Sequence, residues 1–230
     1  MIPRYWRVVG QGTGCSWLLL AVMLGSSIAA TPASVHAAES YVTWLDQRFA
    51  GVVAQTTEYS CGAAAVAGLL SVFYGIPATE SEVLGIIEEL VRVRGEEPRD
   101  RGGLTAYDLK ESAILLGLHT AGYRLNSRQV EDYFARGGLP AIAHVTKPRP
   151  HYLVVVGVTD GLMMLADPGW GRYVTTISGL AEDRKMSGIF IVAVPTEEQA
   201  RHAREEQRRA LDWMCLRASR LSELRECILP

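Results

Sequence analysis

His151-Tyr-Leu-Val-Val-Val-Gly-Val158-Thr159-Asp160-Gly161-Leu162-Met-Met-Leu-Ala166-Asp167 is two β-rich runs around one tight turn. Asp-Gly between apolar runs is a strong short-range hairpin signal, so the two runs read as adjacent antiparallel strands. Leu139–Val145, Arg172–Thr176 and Gly188–Val194 are further β-rich runs, each bounded by turn residues. Upstream the pattern turns helical. Ser60 stands where it would cap a helix over Cys61–Tyr74, closed by Gly75 and Pro77. Thr79-x-x-Glu82 is a capping box opening a second helix to about Arg92, and Thr105-x-x-Asp108 opens a third, ended by Gly117. Asn126 or Ser127 caps a fourth, ended by Gly137-Gly138, while the charged Arg94–Gly103 reads as a loop. Helices first and an antiparallel sheet afterwards predict an α+β fold, helices packed on the sheet.

The chain of 230 residues is 48% hydrophobic and 21% charged, which suits one domain plus extra segments and excludes a disordered or collagen-like chain. A formal charge of -2 gives counterion release little to work with, so no nucleic-acid partner is expected. Residues 1–37 read as a secretory signal peptide. Arg4 and Arg7 supply the basic start, Trp17–Ala30 the apolar core, and Val35-His36-Ala37 the cleavage site. The rival is an uncleaved anchor, but 14 apolar residues fall short of the roughly 20 that a spanning helix needs. The expectation is therefore an exported protein, periplasmic or secreted, with no membrane span after cleavage. Residues 38–195 form the expected domain and 196–230 a charged helical extension. That tail is expected to pack through Leu211, Trp213, Met214 and Leu224 and to carry no chemistry, so truncation after Thr196 should leave an active core.

Chemistry concentrates at Gln55-Thr-Thr-Glu-Tyr-Ser60-Cys61-Gly62-Ala-Ala-Ala. A cysteine in a helix's first turn feels the positive end of the macrodipole, which stabilises its thiolate. The small residues after it let another surface, such as a sheet, come close. Gln55, in the loop entering the helix, is placed to aim its amide at an oxyanion beside the sulphur. A thiolate nucleophile needs an imidazole, and the imidazole needs an orienting group. His151 opens the strongest strand and Asp167 closes the next; counted from the turn at Asp160, both fall at the same end of the hairpin. Asp167 before Pro168-Gly169 is also a turn residue, a role compatible with the first.

His144 competes as a base, though packing near the site is the plainer reading; His119 reads as surface or strand edge, and His202 as solvated. No His or Cys pair has zinc-ligand spacing, so no metal and no cofactor is expected. Signal cleavage removes Cys15 and leaves Cys61, Cys215 and Cys227, an odd number in an exported chain. A Cys215–Cys227 pair requires a turn near Arg217–Leu221 or a second chain; two buried thiols on an amphipathic helix remain the alternative.

Gln55, Cys61-Gly62, the His151 strand and Leu165-Ala-Asp167-Pro168, together with Phe73-Tyr74-Gly75 and Gly138-Leu-Pro-Ala-Ile-Ala-His144, resemble the C39 family of papain-like cysteine peptidases. The resemblance covers roughly Gln55–Pro195. It implies a papain-like fold, with Cys61 as nucleophile, His151 as base and acid, Asp167 as orienter and Gln55 as oxyanion donor. Ser60 stands where many relatives carry an acidic residue. The best-known members are domains of transporters that cut double-glycine leader peptides. With no ATPase motif and an export signal, this chain reads instead as a stand-alone exported peptidase acting on another exported polypeptide. The alternative is a catalytically idle C39-like binding or chaperone module assisting secretion of an extracellular amyloid or adhesin. Another acyl transfer on the same scaffold is a third possibility.

Overall fold

The structure, a computed structural model, describes residues 42–96 and 103–228, with side chains as far as Leu216. The expected signal segment, Cys15 and part of the Arg94–Gly103 loop lie outside the described residues, as do the side chains of Leu224 and Cys227. The elements are α1 (Trp44–Phe49), α2 (Cys61–Gly68), α3 (Glu80–Val93), α4 (Ala106–Leu115), β1 (Thr120–Arg124), α5 (Ser127–Ala135), β2 (Ala141–Val145), β3 (His151–Thr159), β4 (Leu162–Asp167), β5 (Gly171–Thr176), β6 (Met186–Ala193) and α6 (Glu197–Ile228). The strands form one sheet in the order β1-β6-β2-β3-β4-β5, antiparallel throughout. This is the α+β arrangement of helices on an antiparallel sheet that the sequence predicts.

Local signals set most of the boundaries. Thr79, Thr105 and Asn126 each accept the N3 backbone N–H, and Glu82, Asp108 and Gln129 return the bond, so all three helices open on capping boxes. Between β3 and β4 the chain reverses through Asp160 and Gly161, both at positive φ, with Thr159 paired to Leu162; a two-residue type I′ turn requires that. β2 starts at Ala141, not Leu139, because Pro140 has no N–H for the ladder. Three elements go unread in the sequence: α1, the edge strand β1 and a short π-helical turn over Gly179–Asp183.

Both sheet faces are covered. On one lie α2, α3, α4 and α6, with Val66, Leu69, Leu70, Leu109 and Met214 buried against Ile142, Val154, Val156 and Met164. On the other, Val130 and Phe134 of α5 and Leu180 pack on Leu153, Val155, Met163, Leu165 and Phe190. A strand buried on both faces needs no polar alternation, which is why β3 reads Leu-Val-Val-Val. β3 also carries one residue more than β4 between the pairs Val155–Leu165 and Gly157–Met164, a β-bulge at Val156.

Three expectations are corrected. Ser60 does not cap α2 with its side chain. Its hydroxyl turns back into the preceding loop, accepting from Thr57 N at 3.0 Å and donating to Thr57 O at 3.0 Å. The helix at Cys61 stays α-helical only to Gly68 and continues as a π-helical turn over Leu69–Phe73. His202 is half-buried against Gly75 rather than solvated. α6 meanwhile packs Leu211, Trp213 and Met214 on the domain, as expected of the tail. Among the described residues no helix is long and apolar enough to cross a membrane.

Candidate active site

Cys61 is the first residue of α2, at 8% exposure, with no acidic side chain in the helix's first turn. The backbone N–H groups of Gly62 and Tyr152 both point at its sulphur. Glycine at 62 leaves room for this close approach. A Cβ there would lie 2.9 Å from Leu109 Cδ1 and 3.2 Å from Tyr152 Cδ2, so its absence lets β3 come close to the helix start. The small residues after Cys61 serve the close approach that the sequence suggests.

His151 opens β3 at 9% exposure and Asp167 closes β4 at 0%. His151 Nε2 donates to Asp167 Oδ1 at 2.7 Å. The same oxygen accepts Gly169 N–H at 2.9 Å, so the turn role and the orienting contact coexist in one carboxylate. With Nε2 taken, the other ring nitrogen, Nδ1, is left for the Cys61 sulphur, and the two side chains are hydrogen-bonded. Burial alone would keep both groups neutral. It lowers His151, but the bonds to Asp167 and Cys61 outweigh it and raise the imidazole to about 9. Burial likewise raises Cys61, yet the His151 bond and the backbone donors hold the thiol below its ordinary value. Asp167 behaves in the same way: burial opposes ionisation, and His151, Gly169 and Arg184 together keep it low. The arrangement favours a thiolate–imidazolium pair backed by a carboxylate.

Gln55 joins the cluster in a different attitude from the one expected. Its backbone N–H donates to Pro168 O at 3.0 Å, which ties the loop before Cys61 to the turn after Asp167. Its Nε2 donates to Thr57 O at 2.7 Å, while Oε1 is buried without a hydrogen-bond partner. That oxygen faces Gly169, where a Cβ would lie 3.2 Å from it and 3.6 Å from His151 Cε1. One amide proton is thus engaged, and an oxyanion would take the second. A cleft of about 220 Å3 opens here, lined by Gln55, Arg149, His151, Trp170 and Arg184 among others.

His144 lies beside this cluster without joining it: its Nδ1 pairs with Ser187 Oγ at 2.9 Å, and its ring lies 4.8 Å from that of Tyr152. Burial and the charge of His151 lower its pKa. Sequence reasoning missed two residues that hold the site. Arg184 donates to Asp167 Oδ2 at 3.3 Å, Tyr173 Oη at 2.8 Å and Lys147 O at 3.1 Å. Glu80, buried at the start of α3, accepts Thr56 N–H at 3.0 Å and so fixes the loop carrying Gln55. In sequence both look like ordinary surface charges. Among the described residues no group of three or more His, Cys, Asp or Glu side chains could hold a metal ion.

The model of the peptidase C39 family matches residues 50–198. A probable functional amyloid protease, FapD, of Pseudomonas aeruginosa is 32% identical over 139 residues, which are 57% of this chain and 56% of that protein. The aligned segment thus spans little more than half of that relative's length. The protein of the same description from Pseudomonas fluorescens is 26% identical over 171 residues, 70% of each chain. In fold, the peptidase domain of Streptococcus ComA, a bifunctional ABC transporter, superposes with a TM-score of 0.51 at 22% identity, over 63% of this chain and 98% of that domain. With the family model matched across most of the described domain, the chain belongs to the peptidase C39 family.

Proposed function

We propose that this chain is an exported cysteine peptidase that cleaves a peptide bond of another exported polypeptide. The observation that carries the reading is the double engagement of His151, bonded on one side to Asp167 and on the other to Cys61. In this reading the Cys61 thiolate adds to the scissile carbonyl carbon and the carbonyl π electrons move to oxygen. Gln55 donates its second amide proton to that oxyanion. The imidazolium of His151 protonates the departing amine as the C–N bond breaks, leaving a thioester on Cys61. His151, now neutral, takes a proton from water; the hydroxide adds to the thioester, and the thiolate leaves with the C-terminal acid formed. Asp167 keeps the ring oriented and stabilises its charged form.

The expected signal segment at 1–37 supports an exported site of action, and the similarity to two probable functional amyloid proteases supports a substrate that is itself exported. The test is to replace the gene with one encoding Cys61→Ala and to identify the exported protein that accumulates uncut. The wild-type protein is then incubated with that polypeptide. Cleavage by wild type and none by Cys61→Ala or His151→Ala is expected, with Gln55→Ala slower by roughly 10²–10³. Binding of the same polypeptide by wild type and Cys61→Ala alike, with no cut in either, would establish the idle binding module instead.

A further inference from the structure

The C-terminal helix docks on the bulge of the β3–β4 hairpin. Gln207 Nε2 donates to Val156 O at 2.8 Å and to Gly138 O at 2.9 Å. Leu211 lies over Gly157, where a Cβ would stand 3.0 and 3.2 Å from its two methyls and 3.4 Å from Gln207 Nε2. Glycine at 157 thus leaves Leu211 and Gln207 room to lie on the strand, where a Cβ would press on them. The carbonyl of the extra residue takes a bond from outside the sheet, at the place where a bulge disrupts the ladder.

The bulge has a consequence at the site. From the turn, the pairs run Thr159–Leu162, Val158–Met163, Gly157–Met164; beyond Val156 they resume as Val155–Leu165 and Val154–Ala166. Had the first register run on unbroken, Asp167 would lie opposite Val154 and share its sheet face. With Val156 as the extra residue Asp167 comes level with Leu153, on the face that His151 shares by alternation. A slip of one residue exchanges the two faces of a strand, so the bulge decides whether the carboxylate can meet the imidazole. We propose that Gln207 and Leu211 are positioning residues for Cys61, His151 and Asp167: α6 holds the Val156 bulge, and the bulge keeps Asp167 in phase with His151. The proposal rests on reading those three side chains as a thiol-activating set. It also makes the tail, most of which lies beyond the residues matched by the family model, part of the working site and not a dispensable extension.

Gln207 and Leu211 are uncharged, so their effect must travel through the backbone. The ionisable groups around the pair, namely Cys61 on α2, His144 on β2, Tyr173 on β5 and Arg184 before β6, are untouched in their variants. The experiment compares wild type, Gln207→Met, Leu211→Ala and the control Met214→Ala, which loses a buried side chain of the same helix. For each, melting temperature, iodoacetamide labelling of Cys61 at pH 6, and the NMR resonance of the His151 Nε2 proton are measured on the full chain well below melting. Gln207→Met and Leu211→Ala should shift or lose the His151 resonance and slow Cys61 labelling, by up to about tenfold for each unit by which the thiol's pKa rises above the labelling pH. Met214→Ala should melt lower and keep both signals. Should Gln207→Met fail to fold, Gln207→Asn, which keeps the amide and shortens its reach, is read in the same way. Wild-type labelling and an unmoved His151 resonance in both variants, whatever their melting temperatures, overturn the proposal. A wild-type Cys61 no more reactive than Cys215 would instead sink the thiol-activating reading, and the His151 resonance would still report on the bulge.

Discussion

Oδ1 of Asp167 lies 2.7 Å from Nε2 of His151, across a diagonal of the β3–β4 pair and one step beyond the Val154–Ala166 rung. Side chains on such a diagonal meet only when one of them is long, and here the imidazole spans the gap. Because Oδ1 also accepts Gly169 N–H, replacing Asp167 tests two roles at once, and the choice of substituent separates them. Asparagine retains an oxygen for Gly169 but not the charge that supports the imidazolium. Asp167→Asn should therefore bring His151 down from about 9 toward 6.5 and shift the high-pH limb of peptide cleavage the same way. Asp167→Ala, which also frees the turn, should lose more activity. An NMR titration of His151 in Asp167→Asn checks this; a wild-type midpoint would remove Asp167 from the electrostatics of the site.

Arg184 binds the other carboxylate oxygen and extends the same clamp to Tyr173 and to Lys147 O, four residues before His151. Arg184→Met keeps the length of the side chain and leaves Asp167 Oδ2, the Tyr173 hydroxyl and a loop carbonyl without that donor. Unpaired buried polar groups cost about 1–3 kcal/mol each, softened here by the partial exposure of Arg184. Urea unfolding should show a loss in that range. Activity should fall less than in Asp167→Ala, because the His151 contact is on the opposite oxygen. An Arg184→Met protein as stable as wild type would mean that the guanidinium only covers the carboxylate.

What the sequence could show was local. The hairpin was legible because Asp160-Gly161 and the apolar runs beside it are contiguous, and the helix starts because Thr79, Thr105 and Asn126 sit three residues from their capping partners. Thr43-x-x-Asp46 carries the same signal and opens α1, yet the short Trp44–Phe49 segment buries no residue and shows no core-facing period. β1 was illegible for a related reason: Thr-Ala-Gly-Tyr-Arg lies mostly exposed at a sheet edge, and its pairing to β6 is long-range. The proximity of Cys61, His151 and Asp167 could be read from helix start and strand ends. The bulge could not, since nothing around Val156 announces it and its partners Gln207 and Leu211 arrive from the far end of the chain. Glu80 and Arg184 were hidden in the same way, because a charge looks solvated until the fold gives it a buried partner.

The tail decides the question of a disulfide. α6 runs unbroken from Glu197 to Ile228, with no turn near Arg217–Leu221. Twelve residues of helix separate Cys215 from Cys227 by roughly 18 Å, several times the reach of a disulfide. Oxidation of the purified protein should thus give no link between these two cysteines within one chain; any bond they form joins two chains. Mass spectrometry of a non-reduced digest and a non-reducing gel check this. An intrachain Cys215–Cys227 peptide from monomeric protein would mean that the helix breaks in solution.

The paired shifts of Cys61 and His151 also set how stability depends on pH. His151 is raised on folding, so its contribution is complete below 6.5 and is lost as pH rises through about 9. Cys61 is lowered on folding, so its contribution is complete above 9.0 and is lost as pH falls through the folded value. Where the two windows overlap, below about 9, the slopes oppose each other. There the proton that His151 retains on folding is offset by the one that Cys61 gives up. The pair's pH slope is there smaller than that of His151 alone. As pH falls through the folded value of Cys61 its contribution is lost, and Asp167, lowered in the folded state, loses its own in more acidic solution. In Cys61→Ala the cancelling partner is gone, and a His151 still held by Asp167 makes stability fall as pH rises above 6.5. Chemical unfolding of both proteins from pH 5 to pH 10 should give a wild-type curve that is flatter than the variant's over the middle of that range. Coincident curves would show that Cys61 and His151 do not share a proton in the folded chain, and the nucleophile would then have to be activated only when substrate binds.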